Sequence, residues 1–543
     1  MGHKTMTAGS PVRLARTARW AVVVVAALGT VLHSAQGDTR LVEAVRRGDA
    51  GAVRALLQGG VKVNAPEADG TTALHVAVQA DNLPLVTALL RAGANPKAAT
   101  RYGLQPLNLA ATNGSVRALT ALLEAGADAN TLTAAGEPVL MTAARTGNAD
   151  AVRLLIRRGA NVNVREPSFG ETALMWAAAE NHASVVRALA EAGAEVNARS
   201  TVLDAPVLEY PRSGGPNSPF PRGGWTALMF ASREGSLEAA QALADAGASL
   251  DAVALPQTDV PLKGDDLQSA DRGIGTSALV FAIINSHFDL AAALLEKGAN
   301  PNVADMAGEA ALYAAVDMNS MQWTQGRPAP IFRDRLDAVD LVKLLVQKGA
   351  DPSARLTRTP LKRHHDAGTT MGFGLGATPL MRAARTNDTA AMKALLDGGA
   401  DPFARLPDQT TTLMLAAGQG YNGIRGEAIR IVVPTPEGAI EALKLLLDRG
   451  LDVEAFNAAG QTALHAAVNR GDAVVAFLAS RGAPMDVKNR AGFTPLDVAM
   501  GQGGRGRGGR GGVVRESTAA LLKQLMQAKA REAPPLATPA PPR

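Results

Sequence analysis

A leucine recurs along this chain at an almost fixed interval. Leu41, Leu74, Leu107, Leu140, Leu174, Leu228, Leu279, Leu312, Leu380, Leu413, Leu464 and Leu496 are separated by 33, 33, 33, 34, 54, 51, 33, 68, 33, 51 and 32 residues. A period near 33 with a few longer steps reads as one structural unit repeated, some copies carrying insertions. A second marker keeps the same phase. Nineteen residues after most of these leucines stands a glycine, at Gly60, Gly93, Gly126, Gly159, Gly193, Gly247, Gly298 and Gly399. Insertions displace Gly349 and Gly450, and Gly482 is off by one residue. Two markers in phase point to a linear stack of small units, each contacting only its neighbours.

The interior of a unit spells out two short helices. A threonine opens the first, as at Thr72, Thr172, Thr226 and Thr462, where its hydroxyl can satisfy free N–H groups of the first turn. Small residues such as Ala77, Ala177 and Ala178 follow and allow a neighbouring helix to approach closely. A polar turn with Asn82 or with Gly147 and Asn148 breaks the helix. The second helix shows apolar spacing, at Val152, Leu154 and Leu155 or at Val185, Val186 and Leu189. It ends at the glycine, which permits a left-handed C-cap. Helices this short are marginal alone in water, so each must bury a face on the next unit. Composition agrees: 47% of residues are hydrophobic but only 3% aromatic, which suits thin layers of small aliphatics.

The stretches "GTTALHVAVQADNLPLVTALLRAGANPKA" (70–98) and "GQTALHAAVNRGDAVVAFLASRGAPMDVK" (460–488), with "TPL" at Thr378–Leu380 and Thr494–Leu496, resemble the ankyrin repeat family over about residues 38–530. The resemblance implies an all-α solenoid of about twelve helix-turn-helix repeats with finger loops beside a concave groove. It says little about function, because the fold hosts many partners. On this reading residues 1–37 are a signal peptide and 38–199 repeats one to five. Residues 200–223 are a finger insertion, 224–375 repeats six to eight with insertions, and 376–531 repeats nine to twelve with insertions. Residues 532–543 are a disordered proline-rich end. Insertions at 200–223, 252–274 and 354–375 enlarge fingers. Those at 318–335, 418–435 and 501–513 enlarge the turn between paired helices.

The finger-side cluster is the expected binding surface, since compact folds rarely carry long loops without a reason. Tyr210 and Phe220 lie in the first insertion. Trp225, between Gly224 and Thr226, falls where the family's finger tip is exposed, and so is expected to be an interface anchor. The family pattern places Arg145, Arg233, Glu234, Arg382, Arg385, Asn469 and Arg470 at variable groove positions. Trp176, Phe230 and Phe281 share one position in three successive units and read as core between repeats. Met141, Met175, Met229, Met381 and Met414 replace the family's histidine, kept at His75 and His465, and read as core packing.

Chemistry finds little support. His364, His365 and Asp366 are the one cluster with metal-ligand residue types, but adjacent histidines in an extended loop diverge and no second histidine-rich stretch completes a site. No metal or other cofactor is expected, and no catalytic triad, phosphate loop or carboxylate pair stands out. Cysteine is absent, which removes disulfides and thiolate chemistry. The tract "GRGRGGRGG" (504–512) has three arginines and no aromatic residue, so it is read as a loop rather than a nucleic-acid binder.

The N-terminus bears on compartment. Lys4, Arg13, Arg16 and Arg19 precede the apolar run "WAVVVVAALGTVL" (20–32), and small residues follow at Ala35 and Gly37. This is the layout of a secretory signal peptide cleaved before Asp38. The chain is then an exported, periplasmic or secreted protein, with a bacterial style of composition. An uncleaved anchor holding it at the inner membrane is the alternative. The net charge of +5 falls to +1 without the four basic residues of 1–37; residues 503–543 carry +6, so 38–502 is net −5. A mildly acidic body argues against binding nucleic acid along its length. The expected function is non-catalytic binding of a protein partner by a monomeric scaffold, through fingers and groove. A metal- or small-molecule-binding enzyme using loop 354–375 and a membrane-tethered scaffold are the alternatives.

Overall fold

The computed structural model describes residues 38–201, 223–254, 275–320, 334–357, 374–419, 435–502 and 513–532. The described residues hold 24 helices and only isolated β-bridges. The chain divides into two compact units, 1–134 and 135–543. The first contains α1 (Arg40–Arg46), α2 (Ala50–Gln58), α3 (Ala73–Gln79), α4 (Leu83–Arg91), α5 (Pro106–Thr112) and α6 (Val116–Glu124).

The second begins with α7 (Val139–Arg145), α8 (Ala149–Arg157), α9 (Ala173–Ala179), α10 (Ala183–Glu191), α11 (Ala227–Glu234) and α12 (Leu237–Asp245). It continues with α13 (Ala278–Ile284), α14 (Phe288–Glu296), α15 (Ala311–Ser320), α16 (Ala338–Gln347), α17 (Pro379–Thr386) and α18 (Thr389–Asp397). It ends with α19 (Thr412–Ala417), α20 (Pro436–Leu447), α21 (Ala463–Ala467), α22 (Asp472–Ser480), α23 (Pro495–Ala499) and α24 (Glu516–Glu532).

The pair α9–α10 shows how the sequence makes a unit. Thr172 is extended (ψ 165°) and its hydroxyl accepts from the Met175 amide at 3.4 Å, capping α9. Asn181 turns the chain with a left-handed φ of 59°. In α10, Val185, Val186 and Leu189 are fully buried. Each such side chain contributes about 1.5–3 kcal/mol by leaving water. Gly193 stops the helix at φ 87°; its amide bonds the Ala190 carbonyl and that of Ala194 the Leu189 carbonyl, a Schellman closure.

Pairs stack in two layers. In 135–543 each odd-numbered helix packs on the next odd-numbered helix, and each even-numbered helix on the next even one. Alanines 177, 231, 282 and 314, all at 0% exposure, permit this approach in the first-helix layer. The methionines 141, 175, 229, 381 and 414 are buried in it, as core packing requires. His75 and His465 instead make capping boxes with Thr72 and Thr462, and their Nε2 atoms lie 3.0 and 3.1 Å from the carbonyls of Leu104 and Phe493. Burial lowers the pKa of both rings, against the pull of those carbonyls.

Neighbouring units also satisfy each other's helix ends. In α7–α14, carbonyls at first-helix C-termini meet side chains of the next unit. His182 Nε2 lies 3.0 Å from the Arg145 carbonyl, Ser236 donates to Ala179 at 2.8 Å, and His287 Nε2 lies 3.2 Å from the Arg233 carbonyl. In the loops an asparagine side chain bridges to the next unit. Asn163 donates to the Gly193 carbonyl and accepts from the Glu195 amide, and Asn197 does the same at Gly247 and Ser249.

The three finger insertions share one feature: a closed neck. Ser200 bonds the Trp225 carbonyl at 2.9 Å, Ala254 that of Thr276 at 3.0 Å, and Leu356 that of Ala377 at 2.9 Å. Each return bond is also made, from Gly224 to Ser200, Gly275 to Ala254 and Gly376 to Leu356. The chain therefore leaves and re-enters the stack at one place, which is why these insertions leave the helical register intact.

Candidate functional site

The first-helix layer of 135–543 carries its chemistry in rows. Arg145, Arg233, Asp317 and Arg385 each stand five residues after a register leucine, at the C-terminal end of α7, α11, α15 and α17. Two residues after the leucine stand Trp176, Phe230, Phe281 and Arg382.

Between α7 and α13 these rows build a mixed arginine and aromatic face. Arg145 is exposed, with its guanidinium 5.1 Å from the centre of the half-buried Trp176 ring. Glu137 lies 3.8 Å from Arg145 and accepts from Thr142 at 2.9 Å. Arg233, also exposed, lies 5.4 Å from the Trp225 ring centre and 3.0 Å from Glu234. The Trp225 ring meets Phe230 edge-on at 5.4 Å and Phe281 at 4.9 Å. Each guanidinium on an indole is worth about 0.5–1 kcal/mol at such exposure. Glu171 sits at the root of the preceding finger. Burial pushes its carboxyl up, repulsion from Glu166 adds to this, and Arg233 opposes it. Ala179 occupies the Arg145 and Arg233 row of α9, so a small residue separates the two cations. The Trp176 Nε1 atom is buried and has no hydrogen-bond partner.

Three expectations need correction. Trp225 is not an exposed finger tip: it is half-buried because Phe230 and Phe281 receive its ring. The aromatic row is not uniform core either, since Phe281 is buried while Trp176 and Phe230 are half-exposed. Arg382 is not a groove surface group. It is 4% exposed and bonds Asp317 of α15 at 2.7 Å, with Asp317 at 6%. Burial pulls the Arg382 guanidinium down in pKa, and Asp317 more than restores it, so the net direction is upward. Burial, with the like charge of Arg382, brings Arg385 down to about 10. Its carbonyl accepts from Arg470 Nη2 at 2.9 Å. Arg385, Asn469 and Arg470 are half-buried, and Glu234 is exposed.

The Thr226 hydroxyl, expected to cap α11, makes no cap bond. Tyr210, Phe220, His364, His365 and Asp366 lie outside the described residues. Among the described residues no group of three or more His, Asp or Glu side chains is placed to hold a metal ion. No described helix is long and apolar enough to cross a membrane, and residues 20–32 are not among those described. Asp317 escaped the sequence reading, although it falls in the same five-residue row as the arginines.

Family models for ankyrin repeats match residues 25–100, 41–133, 107–200 and 429–506 as three-copy arrays, 174–244 as a many-copy array, and 275–306 and 375–405 as single repeats. The chain belongs to the ankyrin repeat family. Ankyrin repeats are generally protein–protein interaction modules. The ankyrin helix pair α15–α16 lies in a stretch, 307–374, that none of these matches covers. From that stretch the buried Asp317 pairs with Arg382 of α17, beside an apolar cluster that includes Tyr313 and Met381.

Proposed function

We propose that this ankyrin repeat protein is a non-catalytic, monomeric scaffold. It holds a protein partner against the first-helix face between α7 and α13 and the finger necks beside it. The observation carrying this reading is the pair of exposed guanidiniums stacked on half-buried indoles, Arg145 on Trp176 and Arg233 on Trp225. Arginine and tryptophan are the side chains most often found as binding hot spots, and stacking lowers the entropy lost on docking. Export is part of the proposal, with residues 1–37 removed before Asp38 and the partner met outside the cytoplasm.

The test is capture of a partner from the envelope fraction of the native host. The array should retain a specific protein that an Arg145→Ala/Trp176→Ala/Arg233→Ala variant loses, by on the order of a hundredfold in affinity for two hot spots. Equal capture by both would place the interface elsewhere. Deleting 204–222 should spare folding, because the Ser200–Trp225 neck closes the chain, while reducing capture. An N-terminus at Asp38 in the mature protein is expected; retention of 1–37 would favour the membrane-tethered form.

A further inference from the structure

Arginines at one repeated place of the finger roots reach backbone carbonyls of the following finger, as Arg165 Nη1 does at the Arg199 carbonyl; at two inserted fingers the same nitrogen also closes the neck. Arg199 and Arg355 occupy equivalent places, one residue before the amide that closes a neck. Each uses a single nitrogen, Nη1, to reach two carbonyls. Arg199 donates to Gly224 at 2.7 Å, across its own neck, and to Val253 at 2.7 Å, in the finger of the following unit. Arg355 donates to Gly376 at 3.3 Å, across its own neck, and to Arg405 at 3.1 Å, again in the following finger. Val253 and Arg405 are themselves equivalent: they pair with Ser277 and Thr411 in isolated bridges at their own finger roots. The third neck, Ala254–Thr276, has Val253 at the clamp position and so has no guanidinium to do this.

We propose that Arg199 and Arg355 are positioning residues that lock the roots of two inserted fingers onto the finger of the next unit. The Arg199 clamp thereby fixes Trp225 in the aromatic face offered to the partner. Both contacts run to backbone carbonyls, so the clamp sets chain path rather than charge pairing. Burial without a nearby acid lowers the pKa of Arg199, in keeping with a guanidinium spent on carbonyls. The link to Trp225 is short. Gly224, whose carbonyl Arg199 holds, precedes Trp225 directly. The Trp225 amide donates to Ser200 Oγ at 3.1 Å and its carbonyl accepts from the Ser200 amide. With its backbone held at both ends, the ring is directed onto Phe230 and Phe281. Losing the guanidinium frees the neck to open and the indole to leave the cluster. The role assigned to the face rests on the proposed function; the clamp itself does not.

Hydrogen exchange on the intact chain tests the clamp without any partner. In Arg199→Ala the amides of Ser200 and Gly224 should exchange on the order of tenfold faster, the loss expected for bonds to a charged donor. Those of Leu356 and Gly376 should not change. Arg355→Ala should give the reverse pattern. In the wild type the unclamped neck, Ala254 and Gly275, should exchange faster than either clamped one. Arg199→Lys, whose ammonium can still bridge two carbonyls, should restore most of the protection. A fluorine-labelled Trp225 resonance, assigned by its loss in Trp225→Phe, should shift toward its solvent-exposed position in Arg199→Ala and return in Arg199→Lys. Unchanged exchange at both necks, or an equal rise at all three, would overturn the clamp. An unmoved Trp225 resonance with an opened neck would overturn its coupling to the aromatic face. Intact clamping with no partner captured would count against the proposed function alone.

Discussion

Along the first-helix layer of 135–543, α7–α13 and α15–α19 both carry arginines in matching rows, yet they use them oppositely. Arg145 and Arg233 lie on indoles with their charge in water. Arg382 is withdrawn from water onto Asp317, and Arg385 is held half-buried beside it. In the first stretch the aromatic ring supplies the packing and the cation remains available. In the second the cation is buried between helices in an ion pair, beside the apolar cluster of Tyr313, Met381 and Leu415. An arginine in these rows is thus left exposed on a ring or buried as a strut according to what its neighbour offers, an aromatic side chain or a carboxylate.

The largest expected effect breaks the strut. Asp317→Ala leaves the Arg382 charge buried and unpaired, which costs about 3–5 kcal/mol. Replacing both, as Asp317→Leu/Arg382→Met, should be near neutral, because the apolar pair escapes the desolvation cost. Arg145→Ala and Arg233→Ala should each cost about 1 kcal/mol or less. Denaturant unfolding of the full chain, with hydrogen exchange on α15 and α17 to localise the change, reads all four. A large loss for Arg233→Ala, or a small one for Asp317→Ala, would erase the distinction.

A second comparison concerns how the two stretches seat the arginine backbone. At α11 the Arg233 carbonyl faces the His287 ring, which lies where a side chain on Gly235 would be, 2.5 Å from its Cβ position. At α17 the Arg385 carbonyl is met by Arg470, whose Cγ lies 2.7 Å from the Cβ position of Gly418. Both glycines are left-handed, at φ 78° and 115°. Gly235→Ala and Gly418→Ala should therefore each cost about 1–3 kcal/mol in backbone strain alone, with the clash added. In a His287→Ala background the penalty for Gly235→Ala should shrink, since only the strain remains. Additive losses in that cycle would show that the ring is not what the notch accommodates.

These cases mark what was legible in the sequence. The fold was, because a unit is local: Thr172, the alanines of α9, the spacing of Val185, Val186 and Leu189, and Gly193 all act within one period. The reading of the candidate site reached the row positions of Arg145 and Arg233, which follow the period, but not the rings they lie on. It failed where the contact depends on what a neighbouring unit happens to offer. Asp317 is 65 residues from Arg382, across an insertion, and nothing local to "PLMRAART" announces a carboxylate. Trp225 read as exposed because it falls at the family's finger tip, between Gly224 and Thr226; only the coincidence of Phe230 and Phe281 turns its ring inward. Arg199 gave no signal, since a bond to a backbone carbonyl leaves no trace in the partner's identity.

The smallest expected effect sharpens the contrast at the helix starts. Thr172 and Thr378 accept from the amides of Met175 and Met381 at 3.4 and 3.2 Å, so each hydroxyl caps its helix. Thr226 is as deeply buried, at 2% exposure, but its hydroxyl has no hydrogen-bond partner. Thr172→Val and Thr378→Val should each cost about 1 kcal/mol through the lost cap. Thr226→Val removes a polar atom that pays for nothing, so it should be neutral or stabilise by up to about 1 kcal/mol. Thermal or denaturant midpoints of the three variants decide it. Were Thr226→Val as costly as the others, the hydroxyl would be paired in solution. The entry to α11, beside Trp225 and its clamped neck, would then be closed by a cap like those of α9 and α17. A stabilised Thr226→Val would show instead that this one helix start tolerates an unmet group, at the unit where the neck and the aromatic face meet.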